Sequence, residues 1–239
     1  GWWGGVMRET EGGVGWTSTQ GTEPGWERRA GILSSWRPSR DNHGWTPIDT
    51  DEELAMWQNG IAWKEILEFV KQYKLPTPDL QFFIYKKLDT PLKDVRGNPH
   101  IDTTVPEGSN LGIDGAKRNV PVRFNILAEG DDDQEMVWWE VDRNHSIIEE
   151  VLFMRPNGKP AARLQVKGIT SAQRWDNLGQ PKWRLNNLTK TGEYASFVRT
   201  DILHAINWDG RHPRFIISLR FLQSWDDIMA LVMNDQPVQ

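Results

Sequence analysis

The chain has 239 residues, 38% of them hydrophobic and 26% charged, a length and composition typical of one globular domain with a sizeable core. Its net charge of −5 disfavours a nucleic-acid partner, because a protein that binds the phosphate backbone is usually basic. The absence of cysteine excludes disulfide scaffolds, iron–sulfur clusters and cysteine nucleophiles, and it leaves any metal to histidine, carboxylate or backbone oxygen ligands.

The first fifty residues differ from the rest of the chain. They contain 10 of the 21 glycines and 6 of the 14 tryptophans but few aliphatic side chains, so they cannot form a core of their own. We therefore divide the chain into a glycine- and tryptophan-rich N-terminal arm (1–50) and a main domain (51–239). We expect an irregular arm whose tryptophans pack against the main domain or a neighbouring subunit; the alternative is a lid or substrate-contacting segment.

A helix is predicted to begin directly after the arm. Thr50 or Asp51 can cap its first turn, and apolar residues recur at helical spacing as far as Val70. Gly60 can divide this helix in two, and the prolines from Pro76 onward end it.

After residue 79 the sequence changes to short runs rich in β-branched and aromatic residues, separated by turn residues. With no long helix between these runs, the pattern predicts a β-sandwich or barrel. A short helix is predicted to close the chain at 222–234. The predicted strands are 80–88, 119–128, 135–142, 161–169, 194–200, 202–208 and 213–221.

Two histidines have neighbours suited to metal binding. His100 and Asp102 are two residues apart, and in an extended segment such residues point to the same side. Together with His204, which lies in a predicted strand, they would form a two-histidine, one-carboxylate face, and such a face leaves three positions of a six-coordinate iron(II) open. Taken singly, His100 is also consistent with a surface-turn histidine and His204 with a core histidine.

An arginine follows His204, the third ligand, ten residues later in the sequence. Arg214 begins a predicted strand ten residues after His204, and we expect Asp209-Gly210 to form a hairpin that brings the two together. The guanidinium of Arg214 would there bind a carboxylate through two hydrogen bonds. Hydrogen bonds that orient the histidines are expected from Thr200, Asp201 or Asn207.

The segments HIDTT, VPVRFNIL, WWEV and VRTDILHAINWDGRHPRFIISLRF resemble the Fe(II)/2-oxoglutarate-dependent oxygenases, and the resemblance covers residues 80–222. The order His-x-Asp, a distant His, and an Arg ten residues later is typical of that superfamily. The chain looks most like small oxygenases of marine bacteria and cyanophages, and is similar to the prolyl-hydroxylase-like and aspartyl/asparaginyl β-hydroxylase-like groups. The resemblance implies a mainly β fold with flanking helices, the double-stranded β-helix, which is a jelly-roll or cupin-like barrel.

The resemblance also implies the roles of the site residues. His100, Asp102 and His204 would bind Fe(II), and Arg214 would pair with the distal carboxylate of 2-oxoglutarate. By strand alternation Ser218 faces the same side as Arg214, where it would help to hold that carboxylate.

Two further residues are expected to contact the cosubstrate. Arg123 and Asn125 share one face of their predicted strand, at a place where β-hydroxylases carry an Arg-x-His. This chain has asparagine in place of that histidine. It also has Asp102, a ligand that β-hydroxylases usually lack, which indicates the ordinary three-ligand type of oxygenase.

The function implied is that of a dioxygenase that uses Fe(II), 2-oxoglutarate and O2 to hydroxylate a small-molecule or peptidyl substrate, releasing succinate and CO2. A cytoplasmic location is expected, in the host cytoplasm if the protein is phage-encoded, with no membrane partner. The alternatives are a non-catalytic jelly-roll module, for binding or in a virion, and a cupin with another metal chemistry. Cupins favour a His-x-His followed by Glu, which is absent around His100.

Overall fold

Antiparallel β-strands make up most of the protein, as seen in a computed structural model that describes residues 5–10, 13–18, 44–47, 61–104, 118–129, 135–154, 160–186 and 195–234. In chain order the elements are β1 (Gly5–Thr10), β2 (Gly13–Ser18), β3 (Gly44–Pro47), α1 (Ile61–Gln72), β4 (Asp79–Tyr85), β5 (His100–Ile101), β6 (Thr103–Thr104), β7 (Arg118–Asn119), β8 (Val122–Glu129), β9 (Glu135–Trp138), β10 (Ile148–Met154), β11 (Pro160–Val166), α2 (Ser171–Leu178), β12 (Trp183–Asn186), β13 (Ala195–Arg199), β14 (His204–Asn207), β15 (Arg214–Phe221) and α3 (Trp225–Asn234).

Within the described ranges these strands form two large sheets and one small one. The larger has seven strands in the order β1-β2-β13-β8-β15-β4-β3, and the other has six in the order β10-β11-β5-β14-β9-β12. Strands β6 and β7 pair separately. All of these pairings are antiparallel.

Helix α1 packs on the outer face of the seven-stranded sheet through aromatic side chains. The ring of Phe69 stacks on that of Phe124, with centroids 4.6 Å apart, and Phe124 lies 4.5 Å from Phe197. All three side chains are fully buried. Because side chains alternate along a strand, this arrangement turns Arg123 and Asn125 toward the opposite, inner face of β8.

Helix α2 covers the outer face of the six-stranded sheet in a similar way. Thr170 and Gln173 form a capping box at its N-terminus, and Trp175 packs edge-on against Trp139 with the ring centroids 4.7 Å apart. The indole of Trp175 also donates a hydrogen bond to the carbonyl oxygen of Gly97. This helix therefore fixes the segment that leads into β5.

The inner faces of the two sheets meet in apolar contacts. Ile216 of β15 packs against Phe83 of β4 and against Leu185 of β12 in the other sheet. Leu185 also packs against a cluster that contains Trp138 of β9 and Val198 of β13. Side chains from both sheets thus meet in the space between them.

All seven predicted strands are confirmed, with shifts of a few residues at their ends, as strands β4, β8, β9, β11, β13, β14 and β15. The predicted first helix is confirmed over Ile61–Gln72, while its earlier part lies outside the described residues. The closing helix is confirmed as Trp225–Asn234. Three stretches of the arm are strands rather than irregular segments, and they extend both edges of the seven-stranded sheet.

The predicted hairpin around Asp209-Gly210 is wrong, because β14 and β15 belong to different sheets. The connection between them crosses from one sheet to the other. Its carbonyl groups accept hydrogen bonds from the backbone of a separate loop, from Leu88 to Gly210 and from Leu92 to Asp209. Those bonds replace the strand-to-strand bonds that a hairpin would have made.

Among the described residues, no helix combines the length and the apolar composition that crossing a lipid bilayer requires.

The aromatic contact between α1 and β8 gives a prediction about stability. We expect Phe124→Ala to lower the free energy of unfolding by about 3–5 kcal/mol, because it removes a buried ring and leaves a cavity. Leu222→Ala is the control, since Leu222 is exposed, and it should change the value by less than about 0.5 kcal/mol. Urea denaturation followed by tryptophan fluorescence measures both. Equal small losses in the two variants would contradict this packing.

Candidate metal centre

The three predicted ligands lie together. One ligand atom from each of His100, Asp102 and His204 lies within 4.8 Å of the other two, close enough to hold a metal ion. Asp102 Oδ1 is 3.1 Å from His100 Nε2 and 3.4 Å from His204 Nε2. Strand pairing accounts for this meeting, because His100 of β5 lies directly opposite His204 of β14.

Each imidazole is oriented by a backbone carbonyl group two residues earlier in the chain. His100 Nδ1 is 2.8 Å from the oxygen of Asn98, and His204 Nδ1 is 2.8 Å from the oxygen of Ile202. A carbonyl oxygen only accepts, so Nδ1 carries the proton and the lone pair of Nε2 faces Asp102. Three acceptor atoms thus converge on one point, an arrangement that a cation stabilises.

The residues expected to orient the histidines have other partners. The hydroxyl of Thr200 donates to the carbonyl oxygen of Val120, and Asp201 accepts two hydrogen bonds from Arg199. The side chain of Asn207 donates to that of Glu135. Backbone carbonyl groups take the orienting role, and no side-chain pattern in the sequence indicates them.

The segment before His100 is held tightly against β14. A Cβ atom at Gly97 would lie 2.0 Å from the carbonyl oxygen of Ile206, so only glycine allows this approach. The next residue, Asn98, accepts a hydrogen bond from Arg174 of α2 and donates one to Gln165 of β11. Asn98 also supplies the carbonyl group that orients His100, so α2 and β11 both support this ligand.

Asp102 is paired with an arginine from the opposite sheet. Arg123 Nε donates to Asp102 Oδ2 at 2.6 Å, which leaves Oδ1 directed at the two histidines. Burial raises the pKa of Asp102, but the charge of the neighbouring Arg123 opposes this, and the pKa is held well below its usual value. Asp102 is therefore a carboxylate at neutral pH.

The neutral form of His204 is favoured by its surroundings. Burial lowers the pKa of this imidazole, and the neighbouring His100 lowers it further. A metal binds the deprotonated forms of both ligand types, so an ionised Asp102 and a neutral His204 are the states that it requires. The side chains of His100, Asp102 and His204 are 29%, 11% and 4% exposed, so the centre opens to solvent on the His100 side.

Arg214 is buried at 8% exposure, on the inner face of the seven-stranded sheet that it shares with Ile216. Its guanidinium carbon lies 5.4 Å from the ring centroid of Tyr85, its cross-strand neighbour. Within the described part of the chain, no carboxylate lies at ion-pair distance from Arg214. Burial lowers the pKa of the guanidinium, and Tyr85 partly offsets this.

The three other residues expected at the cosubstrate lie next to each other. Arg123 Nη1 donates to Ser218 Oγ at 3.2 Å, and Ser218 Oγ donates to Asn125 Oδ1 at 2.7 Å. Gln81 completes the group, because its Oε1 accepts from Arg123 Nη1 at 2.7 Å. We call these four residues the polar cluster. The role of Gln81 has no signal in the sequence, since it depends on the register between β4 and β15.

The fold and centre thus define an antiparallel β-sheet protein with a His-Asp-His triad suited to a metal ion. Comparison with protein-family models gives no match, and neither does comparison with curated proteins.

Metal binding tests the triad directly. We expect His204→Ala to weaken Co(II) binding by more than about 100-fold, because losing a ligand costs more than the 10–100-fold typical of its hydrogen-bond partners. His212→Ala is the matched control, since His212 is exposed and follows β14. Isothermal titration of the metal-free protein gives both dissociation constants. Similar constants for the two variants would place the bound metal elsewhere.

The lowered pKa of His204 predicts how stability depends on pH. Below about pH 6.5 the unfolded chain takes a proton at this position before the folded protein does, so the free energy of unfolding of the metal-free protein falls. Asp102 adds a further loss only below about pH 3.8, because its pKa is lowered on folding. We expect His204→Gln to show a shallower decline between pH 7 and 4.5 in urea denaturation. Parallel declines would contradict the assignment.

Proposed function

We propose that this protein is an Fe(II)- and 2-oxoglutarate-dependent dioxygenase that hydroxylates a small-molecule or peptidyl substrate. The observation that carries the proposal is Arg214, a buried guanidinium without a carboxylate partner among the described residues, in a fold that also holds a His-Asp-His triad. A buried charge without a counter-ion is costly, so the position favours an anionic ligand. A dicarboxylate that bound the metal at one end and Arg214 at the other would supply the missing negative charge.

The donor set of the triad fits iron(II). Two imidazoles and one carboxylate on one side of a metal are typical of non-haem Fe(II) oxygenases, where the open positions take the cosubstrate and dioxygen. Zinc sites of the catalytic kind also use three protein ligands, but they leave only one position for water or substrate. A bidentate 2-oxoglutarate and dioxygen together need three open positions.

The strand pairing supports the double-stranded β-helix for this chain. In a jelly roll the chain folds as a long ribbon in which the first strand pairs with the last, the second with the seventh, and so on inward. Eight strands here pair in that way: β4 with β15, β5 with β14, β8 with β13, and β9 with β12. The first and third pairs lie in one sheet and the second and fourth in the other, as wrapping of the ribbon requires.

The chain's own residues would bind and orient the reactants. His100, Asp102 and His204 would hold the iron, and Arg214 would hold the distal carboxylate of 2-oxoglutarate. When bound, iron, 2-oxoglutarate and O2 would supply the oxidation of a substrate C–H bond to C–OH, with succinate and CO2 as the other products. The apolar contact between Ile216 and Leu185 would keep water from the space between the sheets.

The same features disfavour a non-catalytic jelly-roll module. Such a module has no need of two imidazoles whose Nε2 atoms converge on one carboxylate oxygen. It also gains nothing from a buried guanidinium that forms no ion pair within the described ranges, since a neutral side chain would be less costly there.

Succinate formation tests the proposal. The purified protein, loaded with Fe(II) without oxygen, is mixed with 2-oxoglutarate and then exposed to O2, and succinate is quantified. We expect slow succinate formation even without the substrate, and none above background in His100→Ala. Equal background amounts from the wild-type protein and this variant would overturn the proposal.

The role of Arg214 is tested in the same protein with an O2-stable metal. We expect Arg214→Gln to raise the dissociation constant of 2-oxoglutarate from the Co(II)-loaded protein by about 10–100-fold, because charge-assisted hydrogen bonds contribute about 1.5–3 kcal/mol each. Arg211→Gln is the matched control, since Arg211 is exposed in the preceding turn. An unchanged constant in Arg214→Gln would remove this residue from the cosubstrate site.

A further inference from the structure

We propose that Arg123 is a positioning residue for the metal ligand Asp102 and does not bind the cosubstrate. It would keep Asp102 bound to the metal through only one of its two carboxylate oxygens. This inference rests on the metal-binding part of the proposed function.

The first argument is the way in which Arg123 divides the two carboxylate oxygens. Its Nε lies 2.6 Å from Oδ2, whereas Oδ1 is the atom that faces both histidines, at 3.1 Å and 3.4 Å. A metal placed among the three ligands meets Oδ1. Binding through both oxygens would require the carboxylate to turn until Oδ2 also faced the metal, and the charge-assisted bond with Arg123, among the stronger hydrogen bonds in proteins, opposes that turn.

The second argument is that Arg123 is itself fixed. Besides Asp102 it bonds to Gln81 of β4 and Ser218 of β15, and Asn125 holds the hydroxyl of Ser218 in turn. Its guanidinium also lies over the ring of Phe83, at 5.3 Å from the centroid, and the residue is only 7% exposed. These contacts engage Nε and Nη1 and fix the plane of the guanidinium beside Asp102.

The pairing of Asp102 with Arg123 determines how many coordination positions of the metal stay open. Three protein atoms leave three positions of a six-coordinate metal, enough for a bidentate cosubstrate and one further ligand. A two-oxygen Asp102 would leave only two, both taken by the cosubstrate. By holding Oδ2, Arg123 keeps the last position open.

The test compares metal and cosubstrate affinities of Arg123 variants. We expect Arg123→Gln to raise the dissociation constant of Co(II) by about 10–100-fold, the usual effect of losing a hydrogen-bond partner of a ligand. Arg123→Lys should not restore affinity, because one ammonium group cannot bond to Asp102 Oδ2, Gln81 and Ser218 in the same geometry. With Co(II) saturating, the dissociation constant of 2-oxoglutarate should change by less than about threefold in Arg123→Gln.

Arg199→Gln is the matched control. It also removes a strand arginine that bonds to an aspartate, Asp201, but that pair lies outside the triad. It should leave both constants unchanged. If Arg123→Gln does not fold, the double variant Gln81→Met with Ser218→Ala removes the fixing contacts but keeps the charge pair, and it should weaken Co(II) binding by about 3–10-fold.

The outcomes separate the two proposals. A wild-type protein that binds no Co(II) overturns the proposed function and this inference together. Wild-type binding with an unchanged Co(II) constant in the Arg123 variants overturns this inference alone. Restoration of affinity by Arg123→Lys would show that charge matters and geometry does not, which also overturns it. An unchanged metal constant with a raised 2-oxoglutarate constant would return Arg123 to the cosubstrate site.

Discussion

The ion pair between Asp102 and Arg123 is the interaction on which the interior of this protein depends. Asp102 follows a strand of the six-stranded sheet and Arg123 belongs to the seven-stranded one, so the pair joins the two sheets through charge. Both side chains are almost buried. A carboxylate or guanidinium in that place without its partner would cost several kcal/mol, so each requires the other. Hydrogen bonds of the polar cluster connect this ion pair to side chains of β4, β8 and β15.

The candidate metal centre is positioned mostly by backbone geometry. Strand register sets His100 opposite His204, and two carbonyl groups fix the ring orientations. The close approach at Gly97 and the capped helix α2 hold the segment before His100. Ligands held in this way need little rearrangement to bind a metal, because their positions follow from elements that the hydrophobic core already stabilises.

The elements that the sequence predicted include the two longest strands. Strands β8 and β15 each have eight residues and are rich in β-branched and aromatic side chains, and both were predictable. Strand β5 has two residues and no pattern of its own, although it carries His100. Strand β12 is also short, and helix α2 interrupts a region that otherwise has the composition of strands and turns. Short elements depend on tertiary contacts, which a local pattern does not contain.

The candidate site was also predictable from local pattern where its residues are close together in the sequence. The His-x-Asp spacing places two ligands on one side of the chain, and that inference needs only strand alternation. The hairpin expected between His204 and Arg214 was wrong, because alternation fixes the face of a strand but not the sheet to which the strand belongs. Contacts across the sheets, such as that between Arg123 and Asp102, depend on this missing information.

The two buried arginines on the inner face of the seven-stranded sheet show what the structure adds. In the sequence both stand on strands with an apolar alternate face, and both suit a carboxylate ligand equally well. The structure separates them by their partners. Arg123 already has a carboxylate, and two further side chains fix it, whereas Arg214 has an aromatic ring beside it and no carboxylate among the described residues. Because a buried charge requires compensation, the residue whose counter-ion is absent is the one that favours an incoming anion. The same residue type therefore has different partners at two places in one fold: Arg123 meets a carboxylate from beyond its own sheet, whereas Arg214 meets a ring within it.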